Sequence, residues 1–280
     1  MVEHSLKNSV LPAPNSPEAK RRRAWRELKD RLAKYGVAFG GLSVIFTILL
    51  IFFYLLYIVM PLFHGADVET QAEYKASPNS AVYITLNEYN DVGLSLNMKG
   101  EARFFAAETG VTMLAPKLPL VDAALTSFSN GAPSTGIFAY GFANGQALIF
   151  KQDYKISYPD DKREITPSIQ YPLGNEGVYV DHNGRSLDLL SVQSYDDKTT
   201  IAAVTDDNRL VIKSFTREED FMDEDEFTIE EQTAEMPLTK LAKYTHLSID
   251  IDQRELYLAD TDGMIAYYDI QDLSAARLIQ

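Results

Sequence analysis

Between Lys34 and His64 no side chain carries a charge. The run from Gly36 to Phe63 reads GVAFGGLSVIFTILLIFFYLLYIVMPLF, and with Tyr35 just ahead of it only Ser43, Thr47 and three tyrosines soften it. A hydrocarbon core about 30 Å thick is crossed by roughly 20 apolar residues of helix. Gly36–Met60 supplies 25, and Pro61 stands where such a helix should stop. A buried core helix would be shorter and would carry polar residues at helical spacing. A secretory signal has an apolar region of only about 7–15 residues followed by a small-residue cleavage site. Met60-Pro61-Leu62-Phe63-His64 is a poor one. An uncleaved transmembrane helix is therefore expected over 36–63.

This span divides two chains of opposite character. The net charge of −14 hides a segment 1–64 of +5, with nine Lys/Arg against four acids, and a remainder of −19. Basic residues flanking a first span stay in the cytoplasm, so the amino terminus is expected inside and everything beyond about residue 65 outside, in a bacterium the periplasm. The acidic exterior argues against nucleic acid as a partner. With no cysteine in the chain, disulfides, thiolate chemistry and Cys-ligated metals are excluded. A domain of roughly 215 residues is long enough to bury a sizeable core without them.

Residues 1–19 are rich in Pro, Ser and Asn, lack periodicity, and read as a disordered cytoplasmic tail. In 20–35, Trp25, Leu28, Leu32 and Tyr35 share one helical face, while Arg22, Arg26, Lys29 and Lys34 occupy the rest. Two readings stand side by side: a basic amphipathic helix lying on an anionic membrane surface, or a polar extension of the transmembrane helix.

From Ala66 onward the texture is short β-rich runs broken by turn residues, and helical patterning is nearly absent. Three stretches align: Ile137–Phe150, Thr200–Lys213 and Glu255–Tyr268, offset by 63 and 55 residues. Each is an alternating apolar strand, a short turn (Ala143-Asn144-Gly145, Asp206-Asp207-Asn208, Thr261-Asp262-Gly263) and a second apolar strand. Val82–Leu96 with Ala102–Phe105 reads as a weaker fourth member. Ser186–Ser191 and His246–Ile251 supply further strands. Repeats of this length fit an all-β, propeller-like fold of four-stranded blades over 66–280, preceded by one transmembrane helix. A β-sandwich is the competing arrangement. About four blades fit, fewer than many propellers use, and the chain stops at Ala275–Gln280 in mid-pattern, so the ring is expected to be incomplete.

Chemistry-bearing clusters are sparse. His4, His64, His182 and His246 lie in different settings, with no two at metal-ligand spacing. The acidic tract Glu218, Glu219, Asp220, Asp223, Glu224, Asp225, Glu226, Glu230 and Glu231 lacks the spacing of a calcium loop and reads as a solvated connection. Asp250/Asp252 and Asp260/Asp262 alternate at strand period, either as carboxylate pairs for hydrolysis or as turn formers. No G-x-S-x-G, P-loop or dinucleotide fingerprint is present. No catalytic, cofactor or metal residue is assigned, and the chain is not expected to be an enzyme.

Arg21–Ala66, RRRAWRELKDRLAKYGVAFGGLSVIFTILLIFFYLLYIVMPLFHGA, resembles the amino-terminal anchor of the long proteobacterial form of the phosphate-specific ABC importer permease. In that family a basic helix and first span ending in L/M-P-L-F-x-G-A precede a large periplasmic propeller-like insertion, and the channel helices follow. The resemblance covers about 46 residues; beyond them it extends only to architecture. It implies an inner-membrane location and four partners: the lipid bilayer, an ABC ATPase subunit, a second permease subunit and a periplasmic phosphate-binding protein. The later membrane helices and the coupling loop lie outside this sequence, so no phosphate-contacting residue carries over. The alternative expectation is a signal-anchored periplasmic propeller that acts as a scaffold or envelope-assembly factor.

Overall fold

The computed structural model describes residues 17–63, 65, 69–70, 72–74, 80–219, 227–238 and 243–280. Two compact units emerge, divided at Glu69/Thr70. Residues 1–16, most of the segment read as a tail, lie outside the described residues, as do His64 and positions 220–226 of the acidic tract.

The first unit is one uninterrupted helix, α1 (Pro17–Val59), followed by a 3-10 turn over Met60–Phe63. Proline suits the first helical position because its missing N–H would have no partner there. The helix runs through the basic segment and the apolar run without a break. Its 43 residues span about 65 Å. Its most apolar stretch has a mean hydropathy of 2.8 and is wholly exposed, so α1 is long and apolar enough to cross a membrane. The hydroxyls within that stretch are satisfied on the helix itself. Ser43 Oγ donates to the Gly40 carbonyl and Thr47 Oγ1 to the Ser43 carbonyl, both at 2.8 Å. Ser43 and Thr47 therefore need no outside partner.

The second unit is built from four antiparallel sheets in which strand order equals chain order. The first holds β1 (Ala81–Leu86), β2 (Val92–Asn97), β3 (Ala102–Ala106) and β4 (Thr112–Leu114). The second holds β5 (Leu125–Asn130), β6 (Ile137–Phe142), β7 (Gln146–Ser157) and β8 (Glu164–Gln170), with β9 (Val178–Tyr179) added beside β7. The third holds β10 (Leu187–Tyr195), β11 (Lys198–Thr205), β12 (Arg209–Glu219) and β13 (Phe227–Pro237). The fourth holds β14 (Tyr244–Ile249), β15 (Glu255–Asp260), β16 (Ile265–Asp269) and β17 (Arg277–Leu278).

The three aligned stretches of the sequence are the second-and-third-strand hairpins β6/β7, β11/β12 and β15/β16. The fourth needs a correction of register. Val82–Leu96 is a first-and-second-strand pair, and the true counterpart of the other three is β2/β3. All four hairpins turn through a left-handed residue at the same place: Gly100, Gly145, Asn208 and Gly263, with φ between 62° and 81°. Asn97, Thr205 and Asp260 end the second strands and seal three of the turns. Their side-chain oxygens accept the N–H of Glu101 (3.0 Å), Arg209 (3.1 Å) and Met264 (2.9 Å).

The sheets stack in series, each facing the next in chain order. Leu94, Leu96 and Phe104 of the first sheet meet Phe138, Tyr140, Phe142, Leu148 and Phe150 of the second. Ile137, Ala139, Ala147 and Ile149 on the other face of the second meet Leu190, Val192, Ile201, Ala203 and Phe215 of the third. Ala202, Val204, Leu210 and Ile212 then meet Ile249, Leu256, Leu258 and Tyr268 of the fourth. A strand with both neighbours covered must be apolar on both faces, which is why β6 (IFAYGF) and β11 read as nearly continuous apolar runs. We call the face toward the following sheet leading and the opposite face trailing.

Every first strand carries a β-bulge after its opening residue: Ala81/Tyr83, Leu125/Ser127, Leu187/Leu189 and Tyr244/His246. The bulges bring a hydroxyl to one equivalent leading-face position in all four sheets, opposite Leu94, Ala139, Ala202 and Tyr257 respectively. The four residues are Thr85, Ser129, Ser191 and Ser248.

Candidate functional site

The densest polar constellation lies at the seam between the second and third sheets. Asp181, in the link between β9 and β10, is only 2 % exposed. Arg209, the first residue of β12, reaches it with two nitrogens, Nη1 to Oδ1 and Nη2 to Oδ2, each at 3.1 Å. Backbone N–H groups of Asn183 (3.3 Å) and Arg185 (2.9 Å) donate to the same carboxylate. The guanidinium also binds Asp207 through Nε (2.9 Å) and ion-pairs with Glu235. Arg185 extends the network to Asp206 at 2.9 Å. Nearby, the buried Lys213 donates to the Tyr179 carbonyl (3.0 Å) and pairs with Glu231 at 2.7 Å.

The local sequence explains this placement. Gly145 has φ of 78° in the β6/β7 turn, and a Cβ there would press on the Asp181 carbonyl and the Gly184 backbone. Its carbonyl accepts the N–H of both Val180 (2.9 Å) and Asp181 (3.0 Å). Glycine thus lets the link settle onto the turn and aims Asp181 across the seam.

The electrostatics suit a lock and not a proton-transfer centre. Burial pushes the Asp181 carboxyl up, but the hydrogen bonds from Arg209, Arg185 and Asn183, with the guanidinium charge, outweigh it and hold it below the usual carboxylate range. Asp207 behaves alike: burial raises it, while Thr205 and Arg209 bring it below normal. The carboxylates raise Arg209 in turn, the Asp181 hydrogen bond foremost. Both oxygens of Asp181 and all three guanidinium nitrogens are engaged, so neither is free to act on a substrate.

The residues singled out in the sequence are scattered. His182 stacks on Tyr179, with centroids 6.3 Å apart. His246 is exposed on the leading face of the fourth sheet, 3.0 Å from Thr245 Oγ1. His4 and His64 lie outside the described residues. The Asp pairs are turn formers. Asp250 accepts the N–H of Arg254 (2.8 Å) and Glu255 (2.7 Å), and Asp260 accepts those of Asp262 and Met264, both at 2.9 Å. Among the described residues no side chain–side chain bond joins Asp250 to Asp252 or Asp260 to Asp262. In the acidic tract, Glu230 and Glu231 are exposed on β13, and Glu231 pairs with Lys213. Among the described residues no three His, Cys, Asp or Glu gather as a metal site would need.

A cleft of about 510 Å³ opens beside the first sheet, between the β2/β3 hairpin and residues 115–120, with Lys99, Arg103, Lys117 and Glu101 in its lining. Arg103 lies 5.0 Å over the Phe105 ring, and its buried Nε has no hydrogen-bond partner. Neither this cleft nor the Asp181–Arg209 lock was visible in the sequence, where the latter pair stand 28 residues apart. Against known proteins, no family model matches the chain. No curated protein matches it either.

Proposed function

We propose that this chain is the amino-terminal part of an inner-membrane ABC permease for phosphate import, with its β domain serving as a periplasmic interaction or regulatory module. The observation that carries the reading is the order of parts: a basic segment, an apolar helix long enough to span the bilayer and ending at Met60-Pro61-Leu62-Phe63, then an acidic β domain. The charge split supports an amino terminus on the cytoplasmic side. Four separate meanders stacked in chain order, with the first strands β5, β10 and β14 adjacent in turn, support a propeller-like arrangement over a two-sheet sandwich. The saturated Asp181–Arg209 lock supports docking over catalysis as the role of the domain.

Two measurements test this. Protease added to spheroplasts should remove epitopes beyond residue 65 and spare the amino terminus; the reverse pattern would discard the topology. Affinity purification from membranes should retrieve an ABC ATPase and a phosphate-binding protein. Retrieval of envelope-assembly proteins in their place would favour the signal-anchored scaffold, whose anchor and β domain would look the same.

A further inference from the structure

Trp25, the only tryptophan of the chain, lies with Leu28, Leu32 and Tyr35 along one face of α1, and all four are more than half exposed. Residues 20–35 carry eight Lys/Arg against two acids, a charge of +6. Those charges are not spread evenly around the helix. At about 100° per residue, Lys29 and Arg31 fall roughly 80° to either side of the centre of the apolar stripe. Lys29 Nζ reaches back over the Trp25 ring, 5.0 Å from its centroid. Arg22 falls on the Lys29 side, and Arg21 continues the stripe one turn before Trp25. Asp30 stands on the opposite side of the helix and Glu27 about 120° round from the stripe. Cations therefore line the margins of the apolar face, and both acids are turned away from it.

An upright helix cannot bury that face in lipid. The apolar run begins at Gly36. Trp25 then lies about 16 Å and Leu28 about 12 Å along the axis from the edge of the hydrocarbon, past a headgroup layer of roughly 5–7 Å per leaflet. The junction between the two parts holds residues that let the axis change direction. Gly36, Gly40 and Gly41 fall within six residues, and a Cβ on any of them would meet nothing within 4 Å. No described neighbour calls for glycine at these positions, and each glycine weakens the helix relative to alanine. α1 runs unbroken through the junction, which is nevertheless its weakest point.

We propose that on a bilayer holding acidic lipids α1 bends within Gly36–Gly41 and residues 20–35 lie along the surface. Trp25, Leu28, Leu32 and Tyr35 sink between the headgroups, Arg22, Lys29 and Arg31 bind lipid phosphates from the two margins, and Asp30 points to water. Charge selects this occupant over a second copy of the chain. A second α1 laid on the same face, in either direction, sets the cations at its margins against cations. The proposal rests on α1 as the membrane anchor and on nothing about phosphate transport.

Trp25 is its own reporter. The full chain is reconstituted into nanodiscs of phosphatidylcholine alone, or of phosphatidylcholine and phosphatidylglycerol in equal parts. In the acidic discs Trp25 emission should shift to the blue and be quenched by lipids brominated at the headgroup end of the acyl chain. In the phosphatidylcholine discs it should stay red and unquenched, and high salt should weaken the quenching in the acidic ones. Arg22→Gln/Lys29→Gln/Arg31→Gln should lower the ratio of docked to free Trp25 at least about tenfold, whereas Glu27→Gln/Asp30→Asn should not lower it. Equal quenching in both kinds of disc, or a chain retained by the acidic discs without quenching, would overturn the docking alone. A chain that neither disc retains would remove the anchor and the docking with it. Burial of Trp25 in phosphatidylcholine discs holding two chains, and not in those holding one, would give the face to a second copy and overturn the proposal.

Discussion

The seam between the first and second sheets is aromatic and the seam between the second and third is aliphatic, although both join the same kind of four-stranded meander. At the first, Tyr83, Phe128, Phe138, Tyr140 and Phe150 form a chain of ring contacts with centroids 5.4–6.3 Å apart. Such wide groups hold the backbones apart, and the polar link across the seam is a long one, Tyr140 OH donating to the Asn97 carbonyl at 2.8 Å. At the second, alanines and Gly141 bring the sheets close; a Cβ on Gly141 would stand 3.2 Å from that of Leu187. Short hydroxyls can then reach backbone directly. Ser127 Oγ and Thr126 Oγ1 both donate to the Leu187 carbonyl, at 2.7 and 2.8 Å, and Ser129 Oγ accepts from Val192 N–H. One topology thus tolerates two ways of joining: bulk with a tyrosine, or close approach with small hydroxyls and an ion-pair lock.

The comparison can be broken at several strengths. Removing a ring from the aromatic seam should cost most: Phe150→Ala, at a fully buried position, is expected to lower stability by about 4 kcal/mol, read from urea unfolding by circular dichroism. Next comes the lock. Arg209→Ala strands a carboxylate that is 2 % exposed, at an expected cost of about 3 kcal/mol, and the Asp181→Ala/Arg209→Ala double variant should lose less than the sum of the singles.

Acid should probe the same seam. The folded-state pKa of Asp181 and Asp207 is depressed, so their stabilisation is complete above the unfolded carboxylate value of about 3.9 and is lost as pH falls below it. Between pH 5 and pH 3 the natural chain should therefore lose more stability than Arg209→Ala. Equal losses would show that the lock contributes nothing. Single hydrogen bonds come last. Ser129→Ala and Tyr140→Phe should each cost about 1 kcal/mol, whereas Ser248→Ala, at an exposed position, should change stability by less than about 0.5 kcal/mol. A Ser248 effect as large as that of Ser129 would show that exposure does not set the difference between them.

Much of the fold could be read from the chain because the turns are explicit. Asn144-Gly145, Asp207-Asn208 and Asp262-Gly263 announce left-handed turns, and β6 and β11 beside the first two are apolar because a sheet covers each face. The counterpart in the first sheet was misregistered since its turn, Met98-Lys99-Gly100, carries no such pair. β13, FTIEEQTAEMP, could not be read as a strand because an outermost strand is wetted and keeps its carboxylates. The lock and the serine positions were invisible for another reason. Asp181 and Arg209 meet only through the seam, and Thr85, Ser129, Ser191 and Ser248 align only once the bulge in each first strand is counted.

Sequential strand order has a kinetic corollary. Every sheet closes from one contiguous stretch of polypeptide, and only the seams require distant segments to find each other. Local pairing of this kind shortens the search during folding, and a chain emerging from the ribosome amino end first could complete one meander before the next is synthesised. Assembly would then proceed by addition, each finished sheet serving as the template on which its successor settles.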